Sequence, residues 1–241
     1  MDPYSRTRLL LGNNGMEKLK NAKVAVFGLG GVGGYVVEAL ARCGVGCLEL
    51  IDHDTISMTN LNRQILATRD TVGQSKAEAA ARRVREIDPQ IRVIPRAEFF
   101  GPDTLESFDF SGYSYVVDAI DTVTCKLALI TACKKANVPI ISSMGTGNKL
   151  DPTAFQIADI HQTSVCPLAR IMRKECRKRG IEKLKVLYSK EEPIFPELAP
   201  DDPIWQELPQ GRNALPGSVS FVPGAAGLII AGEVIKDIAL K

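Results

Sequence analysis

The stretch Gly28-Leu-Gly-Gly-Val-Gly33 constrains this chain more than any other part of its sequence. It follows directly on the apolar run Val24–Phe27 and opens a segment from Val32 to Arg42 with helical spacing. Strand, glycine turn and helix in that order make the first half of a βαβ unit. Glycines there permit a tight turn and let an anion approach backbone amides, while the helix start offers unsatisfied N–H groups to a phosphate. Leu48–Ile51 reads as the next strand, and Asp52 at its end is placed to accept hydrogen bonds from ribose hydroxyls. A turn used only for close packing is the plain alternative, and both the flanking pattern and Asp52 argue against it.

The same alternation runs on. A helix is expected around Asn14–Lys20, and an amphipathic helix over Lys76–Glu86 ends at Asp88-Pro89. Ile91–Ile94, Tyr115–Ala119 and Pro139–Ser142 read as strands, with a helix over Lys126–Ala136 between the last two. After Gly145 the pattern changes: strands at Phe155–Ile160 and Leu184–Tyr188 flank a basic helix over Leu168–Arg179. Residues 192–217 hold six prolines and the lone Trp205, which reads as a long flexible loop, and a final helix is expected over Ala225–Ile238. The expected fold class is α/β and Rossmann-like, with a mostly parallel central sheet and antiparallel additions toward the C-terminus. One domain over 1–241 is expected, divided into a nucleotide-binding part (1–150) and a second part (151–241) for substrate binding and dimer support.

Composition excludes several classes. A chain with 45% hydrophobic and 24% charged residues is not globally disordered, and a net charge of +2 names no partner by itself. The six cysteines form no CxxC pair and there are only two histidines, so a structural zinc site has little support and reduced thiols of a cytoplasmic protein are the simpler reading. The N-terminus has no apolar secretion segment, and the apolar stretch Val219–Ile235 is interrupted by Pro223, several glycines and Glu233, so no membrane span is expected.

Charged groups just after the strand ends narrow the nucleotide. Asn60, Asn62 and Arg63 follow Asp52, Lys76 opens the next helix, and Asp121 follows the Tyr115–Ala119 strand. Strand C-termini in an open α/β sheet converge on the ligand crevice. Arg63 and Lys76 there suit β and γ phosphates, and Asp121 suits Mg²⁺. A nicotinamide dehydrogenase has no need of that group, whereas departure of a phosphate does. Taken singly, each has a plain reading as a surface charge or helix cap.

With Gly28–Gly33, Asp52-x-Asp54, Thr59-Asn-Leu-Asn-Arg-Gln64, Lys76 and Ala119-Ile-Asp121, the chain resembles the ubiquitin-activating-like ThiF/MoeB/HesA adenylyltransferases. The resemblance implies ATP as the nucleotide, bound at Gly28, Gly30, Gly31, Gly33, Asp52, Asn60, Arg63 and Lys76, with magnesium on Asp121. It implies activation of a carboxylate by AMP transfer with release of pyrophosphate. It also implies a homodimer in which Arg6, within Tyr4-Ser-Arg6, reaches the partner's nucleotide site. Ser142–Pro152, Phe155–Asp159, Pro167–Arg170, Arg173–Gly180, Gly217–Pro223 and Ala231–Ile235 carry a narrower, nearly full-length resemblance to the tRNA threonylcarbamoyladenosine dehydratases. Those close the threonylcarbamoyl side chain of adenosine 37 in tRNA into a ring, and the resemblance makes association with a cysteine-desulfurase system conceivable.

The second half gives independent support for RNA. Arg170, Arg173, Lys174, Arg177, Lys178 and Arg179 cluster on the basic helix and suit a phosphate backbone, the plain alternative being a solvated face. Cys166, before Pro167, is a candidate thiol nucleophile and departs from the aspartate that the dehydratases carry there. Cyclisation by an internal nucleophile needs no covalent enzyme intermediate, which weighs against that role. Competing readings are an adenylyltransferase for the C-terminal carboxylate of a sulfur-carrier protein, a noncatalytic RNA-binding protein, and, weakest, a nicotinamide dehydrogenase.

Overall fold

The computed structural model describes residues 2–195 and 216–241. The elements are α1 (Ser5–Asn21), β1 (Lys23–Phe27), α2 (Gly33–Arg42), β2 (Cys47–Ile51), α3 (Lys76–Ile87), β3 (Arg92–Arg96), β4 (Tyr115–Asp118), α4 (Val123–Lys135), β5 (Ile140–Ser143), β6 (Phe155–Asp159), α5 (Pro167–Lys178), β7 (Lys185–Ser189) and α6 (Phe221–Ala239). Their strands form one seven-stranded sheet in the order β3-β2-β1-β4-β5-β7-β6. Every pair is parallel except β6–β7, so the antiparallel addition lies toward the C-terminus as expected.

The sheet has a packed layer on each face, and β1 shows why. Alternate residues of a strand point to opposite sides. Val24 and Val26 join α2, α3 and α6 in one apolar cluster, while Ala25 and Phe27 join α4, α5 and the aromatic group Phe100, Phe108 and Phe110 in the other. The inner strands β1, β4 and β5 are buried on both faces along almost their whole length, and β1 is accordingly a nearly continuous apolar run.

Three of the boundaries that differ from the sequence expectation have a local reason. Helix α1 starts at Ser5 rather than near Asn14, with a break at Gly12, whose φ is 70°. Tyr4 anchors its start by donating its hydroxyl to Asp88 Oδ2 at 2.5 Å. Strand β3 runs through Pro95, opposite Leu50, because it is the edge strand and a missing N–H interrupts no inner ladder. Helix α6 begins at Phe221, before Pro223, because proline is tolerated in a first helical turn.

Residues 196–215 of the expected 192–217 loop lie outside the described residues. Its two described ends meet on one residue: Ile194 N donates to Asn148 O at 2.8 Å, and Gly217 N donates to Asn148 Oδ1 at 2.6 Å. At the other end of the fold, Asp237 ties α6 to the sheet by accepting from Lys185 at 2.5 Å and Tyr115 at 2.8 Å. Burial opposes ionisation of Asp237, but hydrogen bonds from Lys185, Lys241 and Tyr115 outweigh it and hold the carboxyl down at about 2. Among the described residues no helix is long and apolar enough to cross a membrane.

Candidate nucleotide site

The order of the sheet reverses between β1 and β4, and the glycine turn leaves β1 at that point. Open α/β sheets bind ligands in the crevice at such a reversal. Gly28 N donates to Ile51 O at 2.9 Å and Ala119 N to Phe27 O at 2.8 Å, so the ends of β2, β1 and β4 are stitched side by side. Gly28 has a φ of 87°, and a Cβ there would sit 2.7 Å from Ala119 O. At Gly33 a Cβ would overlap the carbonyl oxygen of Gly28. These two glycines are fixed by the protein itself.

Asp52 organises the turn. Its Oδ2 accepts from Leu29 N at 2.7 Å and its Oδ1 from Asp54 N at 2.9 Å, which joins the glycine turn to the following loop. The carboxylate is largely buried, with lone pairs beyond the two in use. Lys76, only 6% exposed at the head of α3, ion-pairs with Asp54 at 2.7 Å. Ser75 caps this helix by accepting from Glu78 N. His53 lies 3.3 Å from the other oxygen of Asp54.

The Asn60–Gln64 turn covers the glycines from one side. Asn60 is buried and its Oδ1 accepts from Ser57 N at 3.2 Å, while its carbonyl accepts from Arg63 N and Gln64 N. Arg63 donates to Thr59 O at 2.8 Å and Asn62 Oδ1 at 3.0 Å. The stem of Arg63 passes 3.6 Å from where a Cβ on Gly31 would be, and Pro223 of α6 lies 3.1 Å from the same point. Asn62 also donates to Ser218 O at 3.0 Å, so the returning C-terminal segment closes over the turn.

Asp121 is exposed two residues beyond Ala119, in the loop that packs against Gly28. Beneath it lies a group that sequence reading missed. Lys126 is fully buried, 3.0 Å from Asp118 Oδ2, and donates to Ile120 O at 3.0 Å and Ser143 O at 2.8 Å. Ser142 donates to the same Asp118 oxygen at 2.5 Å, and Ile120 N to Oδ1 at 3.1 Å. This network locks the loop carrying Asp121 to the ends of β4 and β5. A lysine set among Leu127, Ala128, Leu129 and Ile130 was the available signal.

Other expected site residues lie elsewhere. Arg6 is exposed two residues past Tyr4, whose hydroxyl reaches Asp88 and Ala41 O at the C-terminal ends of α3 and α2. Those helix ends lie beside the starts of β2 and β3, at the opposite end of the strands from the glycine turn, so Arg6 does not serve its own chain's crevice. Cys166, the candidate thiol, is 1% exposed and lies in the apolar cluster, so its thiol is not presented to the crevice, in keeping with ring closure by an internal nucleophile. The apolar face of α5, formed by Ala169, Met172 and Cys176, explains this, because the residue before the helix turns inward with it.

The basic helix is less uniform than its composition implies. Arg173 donates to Thr163 O at 2.7 Å and Thr163 Oγ1 at 2.5 Å, and Lys178 and Arg179 pair with Glu175 at 2.8 Å and 2.6 Å. Those bonds hold the Glu175 carboxyl down at about 2. Arg170, Lys174 and Arg177 are exposed, and among the described residues none has a side-chain ion pair. Their i, i+4, i+7 spacing puts them on one face. Leu168, in the first turn of α5, packs beside Gly145 just past β5, so the helix starts at the C-terminal end of the strands, where the glycine turn also lies.

Comparison with known proteins adds to this geometry. The model of the ThiF family matches residues 4–241. The chain is 44% identical over 238 residues to a tRNA threonylcarbamoyladenosine dehydratase of Bacillus subtilis, covering 98% of this chain and 94% of that protein. It is 40% identical over 251 residues to the dehydratase of Escherichia coli, covering 99% and 94%. A crystal structure of the E. coli tRNA N6-threonylcarbamoyladenosine dehydratase in complex with ATP superposes with a TM-score of 0.87 at 34% identity, covering 98% of this chain and 93% of that one.

Proposed function

We propose that this chain, which belongs to the ThiF family, is an ATP-dependent enzyme that dehydrates threonylcarbamoyladenosine in tRNA to its cyclic form. A carboxylate oxygen of the threonine moiety attacks the α-phosphorus of ATP and pyrophosphate leaves. The carbamoyl group then closes on the acyl carbon, the acyl–oxygen bond to AMP breaks, and AMP departs with the oxygen that the ring closure removes. Nearly full-length likeness to dehydratases supports this substrate. The observation that carries the chemistry is two cationic side chains, Arg63 against Gly31 and Lys76 paired with Asp54, gathered on a glycine turn at the sheet reversal.

Each group has a part. Gly28–Gly33 and the start of α2 receive phosphate oxygens, Asp52 accepts from the ribose, and Asn60 shapes the turn that presents Arg63. Arg63 and Lys76 neutralise charge on the leaving pyrophosphate, where positive groups already in position stabilise the transition state most. Asp121 offers the exposed hard oxygen that Mg²⁺ prefers, and the ion would screen the phosphates from the attacking carboxylate. The chain acts as a homodimer, with Arg6 supplied to the partner's crevice. Leu9 and Leu10, each 85% exposed on the same helix, are apolar surface such a partner would cover.

The modified tRNA lies along α5, held by Arg170, Lys174 and Arg177. Replacing all three with alanine is expected to weaken tRNA binding and flatten its salt dependence, by about 0.9 in log–log slope per lost duplex phosphate contact. ATP binding should stay unchanged. Filter binding across a salt series checks this, and a slope equal to that of the wild type would remove α5 from the interface. The reading as a whole is tested by pyrophosphate release. It should require threonylcarbamoylated tRNA, and release driven instead by a carrier protein ending in Gly-Gly would favour the sulfur-carrier adenylyltransferase.

A further inference from the structure

Among the described residues, one buried side-chain oxygen or nitrogen lacks a hydrogen-bond partner, and it is Gln64 Oε1. Gln64 is 7% exposed and follows Arg63 in the turn over the glycines. Buried polar groups are almost always paired, and a buried carbonyl oxygen without a donor costs folding free energy. A side chain of similar shape with no polar atoms would serve the core better at this position. The carboxamide therefore has a use other than stability.

Its second end indicates what that use is. Gln64 Nε2 lies 3.8 Å from where a Cβ on Gly30 would be, and nothing else stands within 4 Å of that point. Gly28 and Gly33 are required by backbone conformation or close packing, as above. Gly30 is not: its φ lies outside the left-handed region and the protein leaves room for a side chain. Space kept clear beside an amide N–H at a phosphate-binding turn suits an anionic oxygen.

We infer that the Gln64 carboxamide contacts the nucleotide, donating its N–H to a phosphate oxygen in the space beside Gly30. The inference rests on the ATP reading above and adds a specificity-determining residue to it. Its signature is a divergence between stability and binding. Gln64→Met keeps the length of the side chain and removes the orphaned oxygen, so its urea midpoint should equal or exceed that of the wild type. Its KM for ATP should rise on the order of tenfold or more, the size of a lost hydrogen bond to a charged group, with a smaller change in kcat. Gln64→Glu, nearly identical in shape, should raise the KM further by setting a negative charge beside the phosphates.

A lowered midpoint in Gln64→Met would overturn the proposal whatever its kinetics, because the amide would then be a structural prop. An ATP KM within twofold of the wild type in either variant would also overturn it. Calorimetric titration of the wild-type chain with ATP and Mg²⁺ separates the two levels of the argument. No ATP binding there would remove the nucleotide reading itself, whereas equal binding by the wild type and Gln64→Met would remove only the role of Gln64.

Discussion

Lys76→Ala is expected to lower single-turnover dehydration of threonylcarbamoylated tRNA by on the order of 10²–10³-fold, the range seen when one preorganised electrostatic group is lost. The ammonium is buried at the head of α3 and held by Asp54, so it does not have to be ordered when the pyrophosphate forms. Its removal should cost the fold little. Asp54 is about half exposed, with a side-chain accessibility of 51%, and water can take over the carboxylate. The circular dichroism spectrum and urea midpoint should therefore stay near those of the wild type while the rate collapses. Asp54→Asn is the control: it keeps the charge of Lys76 and loosens only its placement, so its loss should be smaller. A Lys76→Ala rate within twofold of the wild type would contradict the phosphate role.

The second large effect concerns stability. Lys126→Met should cost about 3–5 kcal/mol, because it strands the fully buried carboxylate of Asp118 without its cation. Ser142 and the Ile120 amide would remain as donors, but neither carries a compensating charge. The carbonyls of Ile120 and Ser143 would lose their donor as well. Lys126→Met combined with Asp118→Leu removes both charges and should recover a large part of the loss, since an apolar pair can replace a buried ion pair. Urea unfolding of the two variants measures this. A single variant that loses less than about 1 kcal/mol would show that the pair contributes no more than a surface salt bridge does.

Much of this was legible before the structure because two periodicities alternate cleanly in the first half. Val24–Phe27 and Leu48–Ile51 are buried on both faces, so apart from Glu49 they stand out as apolar runs, and the helix that connects them makes a right-handed parallel crossover the expected link. Asp52 and Lys76 could be picked out because one immediately follows a strand and the other opens a helix, where parallel sheets gather ligand contacts, whereas Arg63 stands in a turn between them and was marked by the motif around it. What sequence could not give was pairing. Lys76 with Asp54 and Lys126 with Asp118 join groups brought together by packing, and no periodicity marks them.

Other details that the sequence did not show have the same origin. Cys166 stands just before Pro167, where the sequence does not show which way its thiol points, and it continues inward the face formed by Ala169, Met172 and Cys176. The basic helix looked like a single cationic surface, but Arg173 holds Thr163, and Glu175 occupies Lys178 and Arg179. Arg170, Lys174 and Arg177 are left exposed on one face, without a side-chain ion pair among the described residues. In α1, Gly12 breaks the helical period, which hid the first helical turns from the sequence pattern.

The glycine turn is proposed to serve carboxylate adenylation on a modified tRNA. Mass spectrometry of nucleosides from threonylcarbamoylated tRNA, incubated with the protein, ATP and Mg²⁺, tests it most directly. The account predicts a modified adenosine lighter by one water, formed together with AMP and pyrophosphate and absent when ATP is omitted. An unchanged nucleoside mass, under conditions in which the protein binds ATP and the tRNA, would contradict it.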